Sequence, residues 1–168
     1  MAQSTLVPAQ YYRDPEQLED YVGGSNWLAD INNEKGKRAR NATYAANIAA
    51  LETFAMYVFT EDQTVVPKES GWFAEVNGTT GVVTHLRNRT MYEEDWLGLR
   101  KLDEKGGLVF REMEGKHMEL DEQGLADIFA EFFGPEEKAT IANQPSWQVV
   151  TGTSQSALRA VEEAWMDL

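Results

Sequence analysis

The sequence predicts an α/β fold in which a few mostly parallel strands are covered by helices. Residues 53–62 and 108–112 are rich in aliphatic and aromatic side chains, in nearly continuous order, as in strands buried on both faces. Helical or irregular sequence separates the two segments, and an amphipathic segment follows the second. This alternation is typical of a parallel sheet with helices packed on it. Doubly wound sheets usually have five or more strands, so the sequence indicates part of such a domain.

The segments before the second strand predict short elements. Residues 9–40 predict helical pieces and loops, and residues 41–51 are Ala-rich with apolar residues at helical spacing, which predicts a helix. Pro67 excludes a central strand over residues 65–73, so a loop or short helix is expected there. Residues 80–86 predict an edge strand, and residues 92–107 predict one short amphipathic helix that ends at Gly106-Gly107.

A packed helix is expected after the second strand, over residues 121–133. Five apolar residues fall on one helical face, with acidic residues on the other. These apolar residues are Leu125, Ile128, Phe129, Phe132 and Phe133.

Composition excludes several classes of function. The chain has 168 residues, of which 42% are hydrophobic, enough for one domain with a core. A net charge of -13 argues against nucleic acid and anionic membrane surfaces as partners. The absence of cysteine excludes disulfides, a catalytic thiol and thiolate-bound zinc, and neither a metal nor a cofactor is expected. No apolar run approaches the ~18 residues of a transmembrane segment.

The first residues, "MAQSTLVPAQYYRDP", lack the basic start and apolar centre of a signal peptide. The chain nevertheless has three glycosylation sequons, at Asn41, Asn77 and Asn88. Together these observations suggest a secreted protein that has lost its beginning.

Asp62 and His117 are candidates for a catalytic pair. Asp62 ends the first predicted strand, and His117 follows the second after Glu114-Gly115-Lys116 breaks it. Functional groups in parallel sheets gather at the carboxyl ends of strands, so adjacent strands would bring these two side chains together. A carboxylate that holds one imidazole nitrogen leaves the other free to take a proton. The alternatives are a turn-forming carboxylate at Asp62 and an ordinary loop residue at His117.

Five segments resemble the C-terminal portion of the palmitoyl-protein thioesterase family, α/β-hydrolases of the lysosome that remove fatty acyl groups from cysteine thiols. They are "LVPAQYYRDP", "NWLADINNE", "NATYAANIAALETFAMYVFTEDQTVVPKESGWF", "YEEDWLGLRKLDEKGGLVF" and "EGKHMEL". The resemblance covers roughly residues 6–133. It implies that residues 1–134 are the C-terminal portion of an α/β-hydrolase domain. Residues 135–168 would then be a C-terminal extension with a strand-turn-helix.

The resemblance also implies roles for individual residues. Asp62 matches the triad acid, His117 the triad histidine, and Asn41 a glycosylation position of the family. Trp72 and Phe73 resemble part of the region close to the acyl-binding groove. The implied substrate is an S-palmitoylated protein or fatty acyl thioester, and the implied location is lysosomal or secreted.

The family's nucleophile is missing from the sequence. No Gly-x-Ser-x-Gly motif occurs, and the segments that supply the family's oxyanion hole are not found. Ser154 lies in a predicted strand-turn-helix, the layout of a nucleophile elbow, but Ser156 replaces the second glycine and the segment follows the histidine. Ser154 would act as nucleophile only through a permuted connection or a partner chain. The alternative is that serine or threonine here caps the last helix.

Two functions therefore remain open. One is thioester hydrolysis by a Ser-His-Asp mechanism, with the N-terminal half supplied from elsewhere. The other is a truncated, non-catalytic hydrolase module that binds an acyl chain or a protein partner. An exposed sheet edge and apolar surface would favour self-association or pairing with the missing half. A glycosidase with paired carboxylates is a third class, but no acid pair can be placed across a cleft.

Overall fold

The structure is a computed structural model that describes residues 2–133. The predicted strand-turn-helix with Ser154, and the predicted extension over residues 135–168, lie outside this range.

The N-terminal third consists of short helices joined by loops, as predicted. From residue 2 onward, four helices and one 3₁₀ turn precede the first strand, and the last of these helices confirms the prediction for residues 41–51. In order they are α1 (Ala2–Thr5), the 3₁₀ turn Pro8–Tyr11, α2 (Leu18–Gly24), α3 (Leu28–Ile31) and α4 (Ala42–Ala50). Asn41 caps α4 by accepting the N–H of Thr43 at 2.9 Å, and so satisfies a donor of the first turn.

The first strand, β1 (Phe54–Phe59), is followed by the 3₁₀ turn Lys68–Trp72, which matches the expectation of a short helix after Pro67. A two-residue hairpin comes next, formed by β2 (Glu75–Val76) and β3 (Val83–Thr84) in antiparallel pairing. The sequence indicates β3 but not β2, because two residues are too few for a pattern of alternation.

The prediction of a single helix over residues 92–107 is wrong. The structure has two short helices, α5 (Thr90–Glu93) and α6 (Leu99–Glu104), with a turn between them. Gly98 in this turn has φ +79°, and a Cβ there would lie 2.1 Å from the carbonyl oxygen of Ala45. The helix is interrupted because the chain passes directly against α4, at a place where only glycine fits.

The strand β4 (Leu108–Met113) pairs in parallel with β1, from Phe54 opposite Leu108 to Phe59 opposite Met113. The predicted parallel arrangement is therefore confirmed, in a sheet that has two strands among residues 2–133.

The helix α7 (Glu122–Phe133) forms where predicted, but its packing differs from the prediction. Ile128 and Phe132 are half-buried, whereas Leu125, Phe129 and Phe133 are 45%, 55% and 77% exposed. A sheet of two strands is too narrow to cover the whole apolar stripe.

No helix between residues 2 and 133 is long and apolar enough to cross a membrane.

The core lies between the parallel strands and the helices of the crossover that joins them. Its buried side chains are Met56, Leu86, Met91, Leu97, Leu99, Leu102 and Leu108, each no more than 5% exposed. An ion pair reinforces the crossover: Arg87 donates two hydrogen bonds to Asp103, at 2.7 and 2.8 Å, and the Tyr92 hydroxyl donates a third at 2.6 Å. The crossover thus places β4 firmly beside β1 and fixes where both strands end.

Candidate catalytic pair at the strand ends

Asp62 and His117 meet at the carboxyl edge of the parallel pair. Asp62 lies three residues beyond the end of β1, and His117 lies four residues beyond the end of β4. Because the two strands are adjacent and parallel, both loops leave the sheet at the same edge. The Asp62 Oδ2 atom lies 2.8 Å from His117 Nδ1.

The loops that hold the pair continue the pairing of the strands. The N–H of Thr60 donates to the Met113 carbonyl at 2.8 Å, and the N–H of Glu61 donates to the Gly115 carbonyl at 3.0 Å. The backbone after β1 is therefore hydrogen-bonded to the backbone after β4 as far as Glu61, the residue before Asp62. The sequence marks Gly115 as the end of the strand but does not indicate its contact with Glu61.

The Asp62 carboxylate uses both of its oxygens. Oδ1 accepts the backbone N–H groups of Thr64 and Val65 at 2.8 and 2.9 Å, while Oδ2 faces His117. Its side chain is only 6% exposed. Asp62 thus forms the turn that the alternative interpretation expects and contacts the imidazole as well.

Hydrogen bonding holds the pKa of Asp62 below its ordinary value. Desolvation at the strand end raises the pKa, but the hydrogen bond with His117 and those from the N–H groups of Val65 and Thr64 outweigh it. Asp62 is therefore ionised at neutral pH. An ionised carboxylate accepts hydrogen bonds only, so the proton of neutral His117 belongs on Nδ1.

This arrangement leaves Nε2 of neutral His117 with its lone pair. The imidazole side chain is 39% exposed, so the ring is accessible from one side while Asp62 holds the other. Such a pair can take a proton at Nε2, stabilise the imidazolium that results, and return the proton later.

Trp72 and Phe73 pack against the hydrophobic core. The Trp72 Nε1–H donates to the Met56 carbonyl at 3.1 Å, and its ring stands edge-on to Phe110 at 6.1 Å. Phe73 adopts a left-handed conformation with φ +58° and lies edge-on to Phe54. Both side chains are half-buried, and their assignment to an acyl-binding groove stays a prediction.

The three sequon asparagines are all exposed. Asn41 caps α4, Asn77 opens the turn between β2 and β3, and Asn88 ends the 3₁₀ turn Leu86–Asn88. At Asn77 the side-chain oxygen accepts the N–H groups of Thr79 and Thr80, so the oxygen rather than the amide nitrogen is engaged.

The described residues also form a surface depression, but no group of metal-binding side chains. An open surface depression of about 260 Å³ is lined by Val7, Gln10, Tyr11 and Trp27, and neither Asp62 nor His117 contributes to it. In the part of the chain that the structure describes, no three histidine, aspartate or glutamate side chains are grouped to hold a metal ion.

Two adjacent parallel strands covered by helices, with an acid beyond the first and a histidine beyond the second, are consistent with part of an α/β-hydrolase fold. The family model for palmitoyl protein thioesterase matches residues 1–117, so the chain belongs to that family.

Curated relatives agree with this membership. Palmitoyl-protein thioesterase 3 of Dictyostelium discoideum is 43% identical over 109 residues, which make up 64% of this chain and 37% of the relative. Palmitoyl-protein thioesterase 1 of Caenorhabditis elegans is 37% identical over 133 residues, or 78% of this chain and 44% of the relative. The lysosomal thioesterase PPT2 homolog of Drosophila melanogaster is 28% identical over 99 residues, or 59% and 34%. The chain spans less than half the length of these curated relatives.

Proposed function

We propose that this chain supplies the acid and the histidine of a thioesterase that cleaves fatty acyl groups from cysteine. The main support is the 2.8 Å contact between Asp62 and His117 at the carboxyl edge of the parallel strands. Family membership supports the substrate class, an S-palmitoylated protein or another fatty acyl thioester.

His117 moves the protons in the proposed reaction. Its Nε2 takes the proton of a serine hydroxyl while the serine oxygen bonds to the thioester carbonyl carbon. The carbon–sulfur bond then breaks, and the leaving thiolate takes the proton from Nε2. Water attacks the acyl-serine by the same route: its proton goes to Nε2 and then to the serine oxygen, which releases the fatty acid. Asp62 stays ionised and stabilises the imidazolium in both halves.

The serine must come from outside the matched segment. No Gly-x-Ser-x-Gly motif occurs in the 168 residues, and the matched relatives are more than twice as long as the aligned parts of this chain. A preceding half, as a separate chain or as further sequence of the same gene product, is the proposed source. Ser154 is the second candidate, through a permuted connection or a partner chain.

The second candidate function is a truncated module without catalysis, which binds an acyl chain or a protein partner. The exposed stripe of Leu125, Phe129 and Phe133 on α7 supports it. So does the edge of β1 opposite β4, which pairs with no other strand within residues 2–133. Both surfaces would favour self-association or pairing with the missing half.

A lysosomal or secreted location is part of the proposal. Two relatives are named lysosomal thioesterases, and the exposed Asn41, Asn77 and Asn88 are proposed glycosylation sites. We also propose that Trp72 and Phe73 line the acyl-binding groove once the rest of the domain is present, because both aromatic rings are only half-buried among the described residues.

Hydrolysis of a fluorogenic palmitoyl thioester separates the two functions. The chain is assayed alone and co-expressed with the upstream half of a family member. Turnover by the reconstituted enzyme that falls at least about 10³-fold in His117→Ala, but not in the control His85→Ala, supports the thioesterase. Turnover by the chain alone that is lost in Ser154→Ala would establish the permuted nucleophile. No turnover in either format favours the non-catalytic module.

A further inference from the structure

We infer that Glu119 is a positioning residue that holds the His117 imidazole against Asp62. Its effect on turnover rests on the proposed thioesterase function, whereas its effect on the imidazole does not. His117 lies in a four-residue turn, from Lys116 to Glu119, that follows the end of β4.

The Glu119 side chain closes this turn on itself. Its Oε2 accepts the N–H of Lys116 at 2.8 Å, and the N–H of Glu119 donates to the Lys116 carbonyl at 3.0 Å. His117 and Met118 occupy the two positions in between, and Met118 has φ +57°. The two reciprocal hydrogen bonds fix the backbone on both sides of His117, and a carboxylate on an N–H is among the stronger hydrogen bonds.

Gly115 places this closed turn against the loop of Asp62. Its φ is +110°, and a Cβ there would lie 3.1 Å from Glu119 Oε2 and 3.3 Å from Glu119 Cβ. The Glu119 side chain thus lies against the bare backbone of Gly115. The Gly115 carbonyl in turn accepts the N–H of Glu61, the residue before Asp62. One set of contacts therefore joins Glu119 to both partners of the catalytic pair.

His117 lies in an exposed part of the loop. Its own side chain is 39% exposed, and the neighbouring Met118 and Leu120 are 64% and 39% exposed. The hydrogen bonds of the turn hold the backbone from which the His117 ring extends. A hydrogen bond of 2.8 Å tolerates a displacement of only a few tenths of an ångström, so an opened turn would separate Nδ1 from Asp62.

The acceptor oxygen, rather than the charge, is what the geometry requires. Glutamine has the same length as glutamate and retains one acceptor oxygen, so Glu119→Gln should keep the turn closed. Glu119→Ala removes the acceptor and leaves the Lys116 N–H to water. Glu114→Ala is the matched control, because it removes one negative charge from the same loop at an exposed position.

The tautomer of His117 provides the test. The full chain is labelled with ¹⁵N-histidine, and the ring nitrogens are recorded by NMR at neutral pH. Only two histidines contribute, so His85 serves as an internal reference for folding. In the wild type, Glu119→Gln and Glu114→Ala, we expect the Nδ1–H tautomer at His117. In Glu119→Ala, we expect a shift toward the Nε2–H tautomer that an unconstrained histidine side chain prefers, with His85 unchanged.

Amide hydrogen exchange at Lys116 is the second measurement, and it reports on the closure of the turn directly, independently of the tautomer. We expect exchange about fivefold faster in Glu119→Ala than in Glu119→Gln, the factor that one net hydrogen bond provides. An unchanged His117 tautomer in Glu119→Ala would overturn the inference. An equal loss of the Nδ1–H tautomer in Glu119→Ala and Glu119→Gln would also overturn it, because the negative charge of Glu119, rather than its acceptor oxygen, would then be the cause.

These measurements distinguish failure of the positioning role of Glu119 from failure of the proposed thioesterase activity. If Glu119→Ala shifts the tautomer but the wild-type reconstituted enzyme does not cleave thioesters, the positioning role stands and the proposed activity fails. If the enzyme is active, turnover should fall in Glu119→Ala and recover in Glu119→Gln.

Discussion

The two carboxylate oxygens of Asp62 make different contacts. One oxygen accepts the N–H groups of Thr64 and Val65, and the other faces His117. The backbone bonds fix the carboxylate independently of the imidazole, so the histidine meets an acceptor that is already oriented. Preorganisation of this kind is what a proton relay needs, because little has to move when the imidazole becomes charged.

At the scale of this residue, the pKa of Asp62 provides a prediction. It lies below the unfolded value of about 3.9, partly because of the hydrogen bond with His117. His117→Ala should raise the Asp62 pKa, since desolvation remains while that bond is lost. The midpoint is measured by ¹³C NMR of the carboxylate. A His85→Ala chain serves as control, and an identical Asp62 midpoint in wild type and His117→Ala would contradict the prediction.

The same shift has a consequence for stability, with a definite sign. A carboxyl whose pKa is depressed by folding stabilises the protein above its unfolded pKa and loses that contribution as the pH falls through the folded pKa. We therefore expect the free energy of unfolding to decline from about pH 4 downward more steeply in the wild type than in Asp62→Asn. Urea denaturation between pH 6 and pH 3 measures the difference, and parallel curves would speak against it.

At the scale of the elements, Gly98 lets α6 pass against α4. Gly98→Ala would combine φ +79° with a Cβ only 2.1 Å from the Ala45 carbonyl oxygen. We expect a loss of at least about 2 kcal/mol in the free energy of unfolding, from strain and overlap together. Gly106→Ala is the matched control, since Gly106 has φ +80° but a Cβ there would meet no atom within 4 Å. It should cost about 1 kcal/mol. Equal losses in urea denaturation would show that the close approach is unimportant.

The ion pair between Arg87 and Asp103 is the second prediction at this scale. Asp103 is 8% exposed and also accepts the Tyr92 hydroxyl, whose pKa is raised to about 12 by desolvation and by this bond. Asp103→Ala should lower the free energy of unfolding by about 1–2 kcal/mol, less than for a fully buried pair, because the Arg87 side chain is 41% exposed. Asp103→Asn, which can still accept the Tyr92 hydroxyl, should cost less. Thermal and urea denaturation test both.

At the scale of the whole molecule, the stripe on α7 should matter for association and little for stability. Leu125 and Phe129 are 45% and 55% exposed, so Leu125→Lys with Phe129→Lys removes little buried area. We expect less self-association in light scattering and a change in unfolding free energy within about 1 kcal/mol. Gln123→Lys is the control for added charge. By contrast, Leu102→Ala, at a fully buried position, should cost about 2–5 kcal/mol.

The parts of the fold that follow from local pattern could be predicted from the sequence. Continuous apolar residues indicate β1 and β4, and their separation by a long insertion indicates parallel pairing. That pairing brings the loops of Asp62 and His117 to the same edge of the sheet. The interrupted helix at Gly98 could not be predicted, because its cause is the Ala45 carbonyl, more than fifty positions away. The exposure of Phe129 depends likewise on the width of a sheet that no local pattern specifies.

Asp62 and His117 are 55 positions apart in the chain, and the crossover and the strand β4 lie between them. Closing so long a loop is entropically costly, so contacts of this range form late and slowly. During refolding, the β2–β3 hairpin should therefore form before the parallel strands pair, and the imidazole should reach its carboxylate only in the final step. The ¹⁵N signal of the His117 ring would then report the completion of folding, because it depends on the contact between His117 Nδ1 and Asp62 Oδ2 that we propose for catalysis.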